Sequence, residues 1–176
     1  DEKEVGRLKV EVAANKAKAQ NSSVDIVEYP FTLSKNNAAE IIKGYDLVID
    51  ATDNFSAKYL INDVCVWLQK PVVFGAVSGY EGQVAIFNFS SDAKPTIHYR
   101  HLFPVQPAAN EFATCEETGV IGVLPGIIGT MQAAEAIKLI AGLGQPLNNR
   151  LLTYNFLAAR WYEIEMNSSA EVPLID

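Results

Sequence analysis

The chain has 176 residues, of which 49% are apolar and 20% are charged, and these proportions exclude a disordered, collagen-like or coiled-coil protein. The 14 basic and 21 acidic residues give a net charge of -7, without a Lys/Arg cluster, and this predicts no nucleic-acid partner. Two cysteines, Cys65 and Cys115, are too few for a disulfide framework, which favours a reducing, cytoplasmic location.

The first half of the chain alternates between predicted helices and strands. The predicted elements are a helix over 4–19, a strand over 24–29, a short helix over 37–43, a strand over 45–51, a helix ending near 69, a strand over 72–77 and a strand over 83–89. The β-branched run 45–51 is typical of a strand buried on both faces. Glycines in the segment 78–82 predict a hairpin turn.

The second half has less regular patterning. Residues 90–118 show neither the apolar periodicity of a helix nor that of a strand, and they are predicted to form a loop. An almost uncharged stretch from 119 to 142 predicts a buried helix, and its glycines and Pro125 break the apolar run, so no membrane span is predicted. A hairpin follows over 151–156 and 160–166. Together the elements predict an α/β fold, with a Rossmann-like, mostly parallel sheet and antiparallel C-terminal strands.

Two carboxylates end the predicted strand 45–51. Asp50 and Asp53 would lie at the edge where open α/β sheets bind ligands, next to the N-terminus of the following helix. Carboxylates beside free helix amides suit Mg²⁺ together with a phosphate group. The alternative is structural, since Asp50 could hydrogen-bond a loop and Asp53, Thr52 or Asn54 could cap the helix.

The remaining candidates are cysteines and histidines. Glu116 and Glu117 disfavour a reactive thiolate at Cys115, whereas a following helix N-terminus would favour it. Cys65 lies mid-helix and is predicted to be a small buried apolar residue. His98 and His101 have the spacing of half a metal site, but no second pair of ligands follows them. From the residues alone, an unreactive Cys115 and metal-free histidines are favoured.

Several short motifs, each weak alone, occur together in the order found in the ThiF/MoeB/HesA family. The matching segments are GRLKVE at 6–11, DATDN at 50–54, GA at 75–76 with GxEGQ at 79–83, CEETGV at 115–120, GVLPGIIG at 122–129 and QAxEAIK at 132–138. The chain resembles this family as far as about Tyr162. Members are similar to the adenylating half of ubiquitin-activating enzymes.

The resemblance implies a reaction in which ATP and Mg²⁺ serve to adenylate the C-terminal Gly-Gly carboxylate of a ubiquitin-like sulfur-carrier protein for thiamine or molybdopterin synthesis. By position, Lys9 resembles the lysine that contacts ATP phosphate, and Asp53 the acidic residue that handles Mg²⁺ and the phosphates. Asn54 lies beside it in the implied nucleotide site. Cys115 matches the cysteine that forms an acyl-thioester or acyl-disulfide in part of the family. A homodimer and a sulfurtransferase or rhodanese partner are implied as well.

The sequence departs from the family pattern in two ways. The family's Gly-x-Gly-x-x-Gly unit should precede Glu4 and is not in this sequence, so we expect residues 1–166 to be the C-terminal part of an adenylation domain, inactive alone. Residues 167–176 are expected to be a frayed tail. His98 and His101 fall where many members have the first Cys-x-x-Cys of a zinc site, and the second pair is missing after Tyr154, so no structural zinc is predicted.

Two other functions fit part of the sequence. The chain could be a non-catalytic module that dimerises and holds a ubiquitin-like protein, since its glycine-rich apolar helix and a free sheet edge favour association. A nicotinamide-dependent oxidoreductase fits the alternation of helices and strands but not the series of motifs.

Overall fold

The computed structural model describes residues 2–90, 96–107 and 119–167. The chain divides into two compact units, Asp1–Leu33 and Ser34–Asp176. The predicted tail, apart from Asn167, lies outside the described residues.

The first unit is built around one helix. A short 3-10 helix, Glu2–Glu4, precedes α1, Lys9–Gln20. Salt bridges join Lys16 to Glu4 at 2.7 Å and Lys18 to Glu28 at 3.3 Å. The predicted strand over 24–29 is wrong, because this segment pairs with no strand among the described residues. A β-branched run alone does not make a strand, since the backbone groups need a ladder partner.

The second unit contains the sheet and four helices among its described residues. Its elements are α2 (Ala38–Ile42), β1 (Val48–Asp50), α3 (Phe55–Trp67), β2 (Val72–Ser78), β3 (Glu81–Phe87), α4 (Tyr99–Leu102), α5 (Val123–Ala141), β4 (Arg150–Asn155) and β5 (Arg160–Glu165). The short helix α4 lies in the stretch that was predicted to be a loop.

The five strands lie in the order β1-β2-β3-β4-β5. The α/β fold and its antiparallel C-terminal strands are confirmed. Within the described sheet, however, β1–β2 is the one parallel pair and the other three pairs are antiparallel, so the expectation of a mostly parallel sheet is wrong there. The tight turn between Ser78 and Glu81 forces β2 and β3 to run in opposite directions.

The core lies between the sheet and one face of α5. Val73, Val84 and Ile86 from the strands pack with Leu124 and Ile128 from this helix. The other face of α5 is exposed, with Ile137 60% and Ile140 73% accessible, so the predicted buried helix is buried on one face only. α5 is long and apolar enough to cross a membrane, but core helices of soluble proteins can have the same length and composition.

On the opposite side of the sheet, α3 packs over an aromatic cluster. The Phe74, Phe87 and Tyr99 rings have centroids 5.4 to 5.9 Å apart. The preceding strand β1 is less covered than predicted. Its Ile49 is 47% exposed, so β1 is not buried on both faces.

A side chain of α5 packs directly against Gly75 of β2. A Cβ added to Gly75 would lie 2.3 Å from the side-chain amide carbon of Gln132. The Gln132 amide is fixed, because its Nε2 donates hydrogen bonds to the carbonyl oxygens of Asp50 at 2.8 Å and Val73 at 3.1 Å. Gln132 therefore occupies the space that a side chain at position 75 would need.

His98, the N-cap of α4, packs its ring against the ring of His101 in the same helix. The His98 and His101 centroids lie 4.0 Å apart, and His101 Nδ1 accepts a hydrogen bond from the His98 amide at 3.1 Å. His98 is buried, and its Nδ1 has no hydrogen-bond partner among the described residues. Burial, and secondarily the neighbouring His101, lower the pKa of His98 to about 4.

Gly75→Ala is expected to lower the free energy of unfolding by about 1–3 kcal/mol, because the new methyl group displaces the Gln132 amide from its two buried acceptors. Gly126→Ala is the matched control, since Gly126 lies in α5 with nothing within 4 Å of an added Cβ. That change should stabilise by about 0.5–1 kcal/mol. Urea unfolding measures both variants, and equal effects would contradict the packing assigned to Gly75.

The buried His98 is expected to make the protein less stable in acid. As the pH falls from about 6.5 toward the folded-state pKa of about 4, the unfolded chain takes up a proton that the folded chain does not. The free energy of unfolding should therefore decrease over this range, and His98→Gln should flatten the decrease. Urea unfolding at a series of pH values measures it; an equally steep decrease in the variant would show that His98 is not the cause.

Candidate functional site

A cavity of about 730 Å³ opens in the second unit. It is lined by the β1–α3 turn, the second half of β2, the start of β3, parts of the segment 96–107 and the first half of α5. The C-terminal ends of β1 and β2 meet here. This is the edge at which open α/β sheets bind ligands, as the sequence predicted.

Asp50 ends β1 as a buried structural anchor. The residue is 2% exposed, and its Oδ1 accepts hydrogen bonds from the Thr52 amide at 2.9 Å and the Thr52 hydroxyl at 2.6 Å. Its Oδ2 lies 3.4 Å from Lys58 Nζ. The structural alternative is therefore the one found for Asp50, and of the two predicted carboxylates Asp53 is the one that lines the cavity.

Lys58 is the cation of this site that the sequence did not single out. It lies in the first turns of α3, is 7% exposed, and donates to the Gly75 carbonyl oxygen at 2.8 Å. Its ammonium group also lies 4.7 Å from the centroid of the Phe74 ring. A lysine next to Tyr59, on the buried face of a mostly apolar helix, is the signal that could have identified it.

Asp53 and Asn54 follow in the turn, with different roles. Asn54 is the N-cap of α3, since its Oδ1 accepts a hydrogen bond from the Ala57 amide at 2.8 Å. Asp53 is therefore not the cap; its carboxylate is exposed at the cavity and lies 3.4 Å from Asn54 Nδ2. Asp53 therefore presents a solvent-accessible carboxylate next to a neutral amide and a buried ion pair. The exposed Glu81 also lines the cavity, and its carboxylate accepts a hydrogen bond from Asn155 Nδ2 at 3.0 Å.

Helix α3 also fixes the wall formed by the segment 96–107. The Tyr59 hydroxyl lies 2.8 Å from the Phe103 carbonyl oxygen and 2.9 Å from that of Val105. Asp63 accepts two hydrogen bonds of 2.7 Å from the Arg100 guanidinium. Phe103 lines the cavity, so these contacts set the position of its wall.

The other predicted site residues lie elsewhere. Lys9 belongs to the first unit, where it is the exposed first residue of α1. Cys115 falls outside the described residues. Cys65 is buried in α3 as predicted, and burial raises the pKa of its thiol to about 12. Among the described residues no three His, Cys, Asp or Glu side chains cluster as metal ligands, and the absence of zinc stays a prediction.

The chain is similar in sequence to known adenylyltransferases. The chain is 42% identical over 177 residues to the sulfur carrier protein adenylyltransferase of Thermus thermophilus, covering 97% of the chain and 64% of that protein. It is 43% identical over 166 residues to the adenylyltransferase and sulfurtransferase MOCS3-1 of Zea mays, covering 94% of the chain and 35% of that protein. The chain thus spans less than two thirds of these relatives.

The fold is shared with E. coli MccB. The structure of MccB with ATP superposes with a TM-score of 0.75 at 16% sequence identity, covering 100% of this chain and 53% of that one. The structure of MccB with AMPCPP and MccA gives a TM-score of 0.79 at 15% identity, covering 100% and 53%. At this identity the likeness concerns the fold. The model of the ThiF family matches residues 1–173, almost the whole sequence, and the chain belongs to the ThiF family.

Proposed function

We propose that this chain is part of an ATP-dependent adenylyltransferase that activates the C-terminal Gly-Gly carboxylate of a ubiquitin-like sulfur-carrier protein. The observation that carries the proposal is the exposed Asp53 carboxylate at a cavity of about 730 Å³, where the neighbouring Asp50 and Lys58 charges are already paired. The 42% identity to a sulfur carrier protein adenylyltransferase supports the substrate class.

The reaction requires charge screening and no general base. A carboxylate oxygen of the carrier attacks the α-phosphorus of ATP, the bond from that phosphorus to the bridging oxygen breaks, and pyrophosphate leaves with its electron pair. The products are an acyl-adenylate and pyrophosphate. Since the attacking carboxylate is already ionised, the enzyme's task is to bring two anions together and stabilise the charge that develops.

The donor set at Asp53 fits Mg²⁺. This ion is commonly held by one or two carboxylates together with substrate phosphates. Asp53 offers one exposed carboxylate, whereas the side-chain oxygens of Thr52 and Asn54 already take part in hydrogen bonds. Bound Mg²⁺ would screen the negative charge of the phosphates. Lys9 keeps its proposed role as a phosphate contact because of its position in the GRLKVE motif, and Asn54 supports the turn as the cap of α3.

The cavity walls suit a tail without side chains. Ala76 and Gly129 line it with little side-chain volume, and nothing lies within 4 Å of a Cβ added to Gly129, so an extended Gly-Gly terminus fits against the backbone there. We assign Cys115 the role of accepting the acyl group after adenylation: its thiolate sulfur attacks the acyl carbon, the bond between that carbon and the AMP oxygen breaks, and AMP leaves. A homodimer, a sulfurtransferase partner, a cytoplasmic location and a role in thiamine or molybdopterin synthesis complete the proposal.

A non-catalytic binding module is the second candidate function. The observation that favours it is the exposed apolar face of α5, which includes Val123, Ile137 and Ile140. Binding of a Gly-Gly-ended carrier without any binding of ATP, measured by calorimetry, would favour this module over the enzyme.

Asp53→Ala is expected to abolish carrier-dependent exchange of pyrophosphate into ATP, with a loss of about 100-fold or more because the phosphate charge is no longer screened. The measurement uses labelled pyrophosphate and the full-length protein with a Gly-Gly-ended carrier. Asp46→Ala is the matched control, since Asp46 is an exposed aspartate close to β1 that does not line the cavity. Exchange by Asp53→Ala at the rate of the control would refute the role of Asp53.

A further inference from the structure

The Asp53 carboxylate lies between two neighbours that are both fixed in place. Before it, the Thr52 amide and hydroxyl both donate to Asp50 Oδ1, at 2.9 and 2.6 Å. After it, the Asn54 side chain accepts a hydrogen bond from the Ala57 amide at 2.8 Å and caps α3. The backbone of Asp53 is therefore held on both sides while its carboxylate stays exposed.

Asp50 can hold Thr52 because Asp50 is itself immobilised. Its Oδ2 lies 3.4 Å from Lys58 Nζ, which also donates to the Gly75 carbonyl oxygen at 2.8 Å. Its carbonyl oxygen accepts from Gln132 Nε2 at 2.8 Å. Asp50 is thus tied to α3 through its carboxylate and to α5 through its backbone carbonyl, and Lys58 links it to β2; the residue is 2% exposed.

We propose that Thr52, held by Asp50, is a positioning residue that aims the Asp53 carboxylate at the metal–phosphate ligand. The inference rests on the proposed function and extends it to Thr52 and Asp50, which act on the ligand through Asp53. Residues that orient a metal-binding carboxylate act by limiting the directions it samples before the ligand arrives.

The hydroxyl of Thr52 is the testable part of this arrangement. Thr52→Val keeps the shape of the side chain but removes the 2.6 Å hydrogen bond to the buried Asp50 carboxylate. The turn is then fixed by the backbone amide alone. Thr52→Ser keeps the hydroxyl and serves as the matched conservative variant.

The experiment measures Mn²⁺ binding, by electron paramagnetic resonance of the free ion, in the presence of a non-hydrolysable ATP analogue. Wild type, Thr52→Val, Thr52→Ser and Asp53→Ala are compared as full-length proteins. Thr52→Val should weaken Mn²⁺ binding by about 10-fold, the lower end of the effect of losing an outer-shell partner. Thr52→Ser should bind like wild type, and Asp53→Ala should lose the site.

The outcomes separate this inference from the proposed function. If Asp53→Ala loses Mn²⁺ binding and Thr52→Val does not weaken it, Asp53 keeps its role and the positioning role of Thr52 is wrong. A lower unfolding midpoint for Thr52→Val with unchanged Mn²⁺ binding leads to the same conclusion, since a merely structural residue gives that result. If Asp53→Ala binds Mn²⁺ like wild type, the proposed function fails at this site. Thr52→Ala replaces Thr52→Val should the valine variant not fold.

Discussion

The candidate site depends on the interactions of the buried Asp50 carboxylate with Lys58 and Thr52. A carboxylate that is 2% exposed is stable only when it is paired and hydrogen-bonded, and here Lys58 supplies the charge while Thr52 supplies two donors. The same residue accepts a hydrogen bond from Gln132 through its backbone. Asp50 therefore joins β1 to α3 through Lys58 and to α5 through Gln132 at the point where the sheet meets the cavity, and loss of Lys58 would leave a buried carboxylate without its ion-pair partner.

This arrangement explains how two similar aspartates three positions apart serve different ends. The Asp50 carboxylate is paired with Lys58 and accepts hydrogen bonds from Thr52. Asp53 lies outside the sheet and keeps its carboxylate in solvent. The turn between them separates a structural carboxylate from one that remains open to a ligand. The letters of the DATDN motif alone do not show which aspartate is which.

Local patterns predicted the elements that depend on local contacts. The cap before α3, the hairpin between β2 and β3, and the C-terminal hairpin all have short-range determinants, and the structure contains each of them. The predicted strand over 24–29 failed because strand formation requires a partner that a short apolar pattern does not specify. α4 was missed because four residues are too few to show helical periodicity.

Among the candidate site residues, Asp53 and Asn54 could be named from the sequence because both lie in one short motif. Lys58 and Gln132 were not, since their acceptors lie 17 residues away at Gly75 and 82 residues away at Asp50.

Helix α3 takes part in both sides of the cavity. Its first turn begins at Asn54, next to the exposed carboxylate, and its later turns hold the opposite wall through Tyr59 and Asp63. The separation of these two features is thus set by the regular rise and rotation of a single helix. One residue inserted between them would turn the wall anchors by about 100° relative to the cap. An insertion or deletion between Asn54 and Asp63 would therefore displace a wall of the cavity even where every lining side chain is kept.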